Sequence, residues 1–193
     1  MDKSKIVAIA KQLAEDSVVV GYDKIPEIDL YMDQLTTFTD DKLKTYKRKA
    51  DDKILTKTMI NNYSKDKLIP PSLNKKYSRT HMALMLMVYQ LKNVMAINDI
   101  GMLIESLGVD ESNVKAFYET FTEIQKIENE RLEDEIAAKI DAIAELDAGD
   151  LPELAIISLL IDANAKKRAA EKILDEFIKK DRKDKKTEKA EKK

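Results

Sequence analysis

The chain has no cysteine, no tryptophan, one histidine, and only four glycines and four prolines in 193 residues. The missing cysteine excludes disulfides, thiolate metal sites and cysteine nucleophiles. No glycine-rich phosphate loop and no metal-ligand spacing occurs, and spacing places no serine or carboxylate constellation beside His81. No catalytic residue, metal or cofactor is therefore read, and an enzyme is the weakest of the functional readings. His81 itself stands three residues after Ser78 and reads as part of a helix cap. Long apolar runs are missing too. The longest, residues 82–89, falls far short of the roughly 20 residues a membrane helix needs. The charged first helix has no signal-peptide core, so a cytoplasmic protein without membrane contact is expected. Few glycines and prolines against many Ala, Leu, Glu, Lys and Ile residues point to an all-α fold.

The small net charge of −2 conceals a segregation. Residues 40–93 hold 13 Lys and Arg against five Asp and Glu, whereas residues 94–165 hold four against 17. A basic block beside an acidic one suits a polyanion-binding head on a body that repels polyanions.

Along the chain, Ile6, Ile9, Ala10 and Leu13 recur at helical spacing and define an amphipathic arm, which with a β-branched linker fills residues 1–25. A second helix is expected over residues 26–39, and a basic segment of uncertain order over residues 40–54. Thr56 caps a helix that ends near Lys65, and Pro70 and Pro71 stop any continuation. A turn around Asn74 leads to Tyr77 as a short strand, and Ser78 caps a central core helix over residues 79–93. Another helix ends at Gly108. Residues 109–179 read as one or two long helices, a break at residues 147–152 with Gly149 and an Asp150 cap, and a final helix. Together they form a hairpin or coiled-coil-like region suited to dimerisation. Residues 180–193, almost wholly charged, are expected to be disordered.

A duplex-reading helix needs short polar side chains at its first turns, cations beside them for phosphates, and an apolar back face. Thr56, Lys57, Thr58, Asn61 and Asn62 meet the first two needs, and Met59, Ile60 and Tyr63 the third. Asn61 and Asn62 have the chemistry to pair bidentately with adenine, although asparagines near a helix end also serve as caps or solvated residues. Lys75 and Lys76 at the turn, with Lys65 and Arg79 nearby, suit phosphate contact; a lysine-rich turn is also an ordinary wet surface. The acidic residues 123–135 read as a solvated face rather than a cation site.

The stretch INNYSKDKLIPP resembles the IRYYEREGLLPP segment of MerR-type regulators, and the Tyr77-Ser78 pair before a leucine-rich helix continues the likeness. More closely, IDLYMDQLTTF, LTKTMINNYSKDKLIPP and KKYS together resemble an uncharacterised bacterial domain-of-unknown-function family, number 1836, considered MerR-like. The resemblance covers residues 26–107. It implies a winged helix-turn-helix over residues 26–108, usually dimeric, with DNA contacts from the second helix and the wing. Carried over by position, the contact set is Thr56, Lys57, Thr58, Asn61, Asn62, Tyr63, Lys65, Lys75, Lys76, Tyr77 and Arg79. Asn61 and Asn62 stand where the MerR pattern has Arg and Tyr, Lys67 replaces a glycine, the wing is shorter by two residues, and a basic insertion separates the two reading helices.

Two readings from different classes follow. The first is a homodimeric regulator of transcription binding double-stranded DNA, with a small-molecule effector pocket sought around Phe117, Tyr118 and Phe121. The second is a protein-interaction module that keeps the fold without specific DNA binding and holds a protein partner through its apolar helices and acidic face.

Overall fold

The computed structural model describes residues 2–17, 19–146 and 151–191, with side chains through Lys180 apart from Leu151. Its centre is α4 (Arg79–Leu91), in which every residue from Thr80 to Tyr89 is buried. A helix apolar on all sides needs neighbours on all sides. These are α2 (Met32–Lys42) through Leu35, α3 (Lys57–Lys65) through Ile60 and Tyr63, α5 (Ile97–Leu107) through Ile100 and Ile104, and the first turns of α6 (Val114–Ala144) through Val114 and Tyr118. Each large side chain buried here contributes about 1.5–3 kcal/mol, so this one cluster dominates the stability of the head.

Local chemistry fixes the ends of these helices. The Thr56 hydroxyl accepts the Met59 N–H at 3.2 Å and starts α3. At the start of α4 the Ser78 N–H donates to His81 Nδ1 at 3.1 Å, and His81 Nε2 reaches the Pro71 carbonyl at 3.3 Å, tying the double proline to the core helix. Gly108 ends α5 with φ 57°, a conformation that other residues adopt at a penalty.

The helices are joined by one small sheet. β1 (Leu30–Tyr31) pairs antiparallel with β2 (Lys76–Tyr77), Leu30 opposite Tyr77 and Tyr31 opposite Lys76. Leu30 and Tyr77 point into the core while Tyr31 faces out. The strand expected at Tyr77 is present, but its partner displaces the start of the preceding helix, which begins at Met32 rather than near Pro26. Residues 43–55 form a loop containing only a 3₁₀ turn at Lys44–Tyr46, with Leu43, Ile54 and Leu55 buried at its two ends.

The segment before β1 is part of the head. Val20 and Ile25 are buried in the main cluster, the Tyr118 hydroxyl donates to the Val20 carbonyl at 2.9 Å, and the Tyr22 ring lies between the Arg79 guanidinium at 4.0 Å and the Tyr118 ring at 6.0 Å. The core therefore extends beyond residues 26–108 at both ends, because two β-branched residues anchor the linker as a strap.

A second, smaller core joins α1 (Lys3–Asp16), the far half of α6 and α7 (Leu151–Glu191): Ile6 and Ala10 meet Ile136, Ile140, Ile143 and Ala155. Lys3 pairs with Asp141. Lys139 pairs with Asp162 at 3.4 Å and Lys166 with Glu135 at 3.0 Å, so α6 and α7 run antiparallel as the expected hairpin. The break expected at residues 147–152 falls largely outside the described residues. Residues 181–191, for which a disordered tail is expected, are described as a continuation of α7. They contain no glycine or proline and are dominated by Lys, Glu and Asp with one alanine, and the lysines, glutamates and alanine favour the helix. Residues 192 and 193 lie outside the described residues. Among the described residues no helix is long and apolar enough to cross a membrane.

Candidate nucleic-acid interface

Short as it is, α3 divides cleanly into two faces. Ile60 and Tyr63 are buried, and Lys57, Thr58, Asn61, Asn62 and Lys65 are exposed. Spacings of four residues place Lys57, Asn61 and Lys65 in one row and Thr58 and Asn62 in a second beside it. Neither asparagine side chain makes a hydrogen bond among the described residues, so both amides are available to a partner.

Lys57 forms an ion pair with Asp33 of α2. The two side chains are 61% and 81% exposed, and such a pair is worth about 0–1 kcal/mol. A phosphate can therefore displace the carboxylate at little cost.

Beyond α3 the chain turns through a Schellman motif: the Leu68 N–H reaches the Tyr63 carbonyl at 2.9 Å and Lys67 adopts φ 58° in the glycine position. The connection that follows is a two-residue hairpin. Leu73 and Lys76 exchange backbone hydrogen bonds of 3.1 and 2.9 Å around Asn74 at φ 52° and Lys75 at φ 62°, the signature of a type I′ turn. Asparagine tolerates that conformation, whereas lysine there is less favourable than glycine by about 1–2 kcal/mol. Lys75 is exposed, and Lys76, half-exposed, lies 5.2 Å over the Tyr31 ring.

Four of the residues expected to contact DNA are placed otherwise. Tyr63 and Tyr77 are buried in the core, where burial holds the Tyr63 phenol above its ordinary pKa. The Arg79 guanidinium turns inward, donating to the Tyr22 carbonyl at 2.6 Å and pairing with Glu27 at 3.2 Å. The Thr56 oxygen is engaged in the cap. The resemblance is one of position in the chain, and a matched position does not specify which way a side chain points.

Sequence reasoning also left out some of the surface. An open groove of about 750 Å³ runs between α2 and α3, with Lys44 and Lys53 of the preceding loop in its wall next to Lys57 and Thr58. The loop lysines were visible as a basic run, but the run alone did not show which element they would flank. The aromatic cluster considered for an effector is packed core: the space beside Tyr118 and Phe121 amounts to about 10 Å³, smaller than any organic ligand. Among the described residues no three His, Cys, Asp or Glu side chains come together to hold a metal ion.

These features define a predominantly helical protein with a basic head and an acidic helical body. A model of the family described as a domain of unknown function (DUF1836) matches residues 20–121, and the chain belongs to that family. The match begins at the strap and ends one turn beyond Tyr118, so it covers the same residues as the main core. No curated protein and no solved structure matches the chain significantly.

Proposed function

We propose that the protein is a cytoplasmic bacterial regulator of transcription that binds double-stranded DNA through α3 and the Leu73–Lys76 hairpin. The observation that carries this reading is the outward face of α3, with Lys57, Thr58, Asn61 and Asn62 exposed on a helix held down by Ile60 and Tyr63. The order of parts supports a MerR-like winged helix-turn-helix: a strand, two helices separated by a loop, and a hairpin whose returning strand pairs with the first. Phosphates would meet Lys57, Lys65, Lys75 and Lys76, and bases would meet Asn61 and Asn62. A homodimer formed through α7 matches a two-fold site; Ile156, Ile157, Leu160 and Ile161 of that helix are all more than half exposed.

The test is fluorescence anisotropy of a labelled mixed-sequence duplex titrated at several salt concentrations, beside a variant with Lys57, Lys75 and Lys76 changed to Ala. Binding that falls steeply with salt and weakens in the variant supports the reading. Absence of binding at low salt overturns it. One observation favours a protein-interaction module instead: the same exposed apolar residues of α7 offer a surface to a protein partner, and in that case binding survives the triple substitution and needs no DNA.

A further inference from the structure

The loop between α2 and α3 is long for a helix-turn-helix, and it is held in place at several points. Leu43, Ile54 and Leu55 anchor its ends in the core, and the Tyr46 ring meets Tyr89 edge-on at 6.1 Å. Asp52 Oδ2 accepts the N–H groups of Arg48 and Lys49 at 3.1 and 2.9 Å, closing a turn at the tip. At the start of the loop the carboxylates are engaged, Asp40 by Lys47 at 2.8 Å, and Asp41 by Lys42 at 3.4 Å and Lys44 at 3.9 Å, whereas Asp51 near the tip is exposed. Arg48, Lys49 and Lys53 are left exposed and without an ion pair among the described residues. Lys53 shares the groove wall with the first turn of α3.

We propose that this loop is a second phosphate-binding element, in which Arg48, Lys49 and Lys53 hold the duplex backbone beside the first turn of α3, while the hairpin holds it with Lys75 and Lys76. The proposal rests on the DNA-binding reading and adds to it a binding surface outside α3 and the wing. A loop whose backbone is already held by its buried ends and its Asp52 turn orders little main chain anew on binding, and the ion pairs of Asp40 and Asp41 lessen their repulsion of the phosphates. The partner is a polyanion rather than a single anion, because Arg48 and Lys49 belong to the Asp52 turn while Lys53 stands in the groove wall beside α3.

The experiment compares the full chain with a triple variant, Arg48→Gln, Lys49→Gln and Lys53→Gln, in the same anisotropy titration between 50 and 200 mM salt. With three fewer phosphates neutralised, the slope of log K against log salt falls by about 2.7, at roughly 0.9 per phosphate. The urea midpoint should not move, because these side chains support nothing in the fold. A loop variant that binds with the unaltered slope, while the Lys57, Lys75 and Lys76 variant loses binding, overturns the loop assignment and leaves the DNA reading intact. Failure of the unaltered chain to bind DNA overturns both. A loop variant with unaltered DNA binding but weaker self-association in sedimentation also overturns it, and assigns the loop to the acidic α6 of a second copy.

Discussion

The Tyr118 hydroxyl donates a buried hydrogen bond to the Val20 carbonyl, 98 residues earlier in the chain. The bond ties the strap to the first turns of α6 and sets both limits of the head. Tyr118→Phe leaves that carbonyl buried without its donor, and the loss is expected to be about 1–3 kcal/mol. Urea denaturation followed by circular dichroism measures it, and an unchanged midpoint would show that the strap is held by packing alone.

Alkaline pH should weaken the fold through the same residue. Burial holds the Tyr118 phenol above the ordinary value of 10.0, with Tyr46 nearby adding to the effect, and burial raises Tyr46, Tyr63 and Tyr89 in the same direction. The unfolded chain therefore releases these protons first, near pH 10, and the folded chain releases them higher. The stability from the protonated phenols is full below pH 10 and is lost as pH rises through the raised values. Lys92 acts oppositely: burial lowers its pKa below 10.5, so the unfolded chain binds more protons there and its ionisation makes stability rise up to that pH. Denaturation midpoints between pH 8 and pH 11 should fall beyond pH 10, and Tyr118→Phe should flatten the decline.

Asp33→Asn frees Lys57 and removes an anion beside the proposed interface. Duplex binding should tighten while its salt slope changes little, because Lys57 meets the same phosphate in both proteins and only the competing carboxylate is lost. Anisotropy reads both quantities. Weaker binding would show that Asp33 orients Lys57 rather than masking it.

Lys75→Gly separates conformation from charge. Glycine relieves the left-handed turn position, so the thermal midpoint should rise by the equivalent of about 1 kcal/mol. The lost cation should lower the DNA salt slope by about 0.9. A variant both more stable and equally good at binding DNA would remove Lys75 from the interface.

Leu160→Glu addresses the proposed dimer. Leu160 and its neighbour Ile161 are each 65% exposed, so the substitution leaves the single chain's fold intact. In sedimentation velocity the mass should fall from twice 22.0 kDa to one chain. An unaltered dimer would place the contact elsewhere.

Periodicity in the sequence was enough to identify α3, α4, α5 and the helical arm, because their apolar residues repeat on one face and Thr56, Ser78 and Gly108 mark their limits. It did not reveal β1, since a two-residue strand exists only through its pairing with Lys76 and Tyr77. The strap reads as a linker because Val20 and Ile25 are too few to show a period, and the Tyr118 hydroxyl that holds the Val20 carbonyl lies 98 residues away. At the site, charge and residue type identified the outward face of α3. They did not separate it from Arg79, whose cation is directed inward by a ring and a carbonyl from the strap.

The 31 residues of α6 run from the main core to the second without a glycine or proline, and so without the usual causes of a kink. From Tyr118 to Ile140 the distance along its axis is about 33 Å at roughly 1.5 Å per residue. Such a rod turns a small rotation at one end into a large displacement at the other: a tilt of roughly 10° at the hairpin moves the head by about 6 Å, comparable to the pitch of one helical turn. In the proposed dimer, two such rods would act as adjustable calipers, in which a small change of angle at the hairpins resets the separation of the two heads by several ångströms.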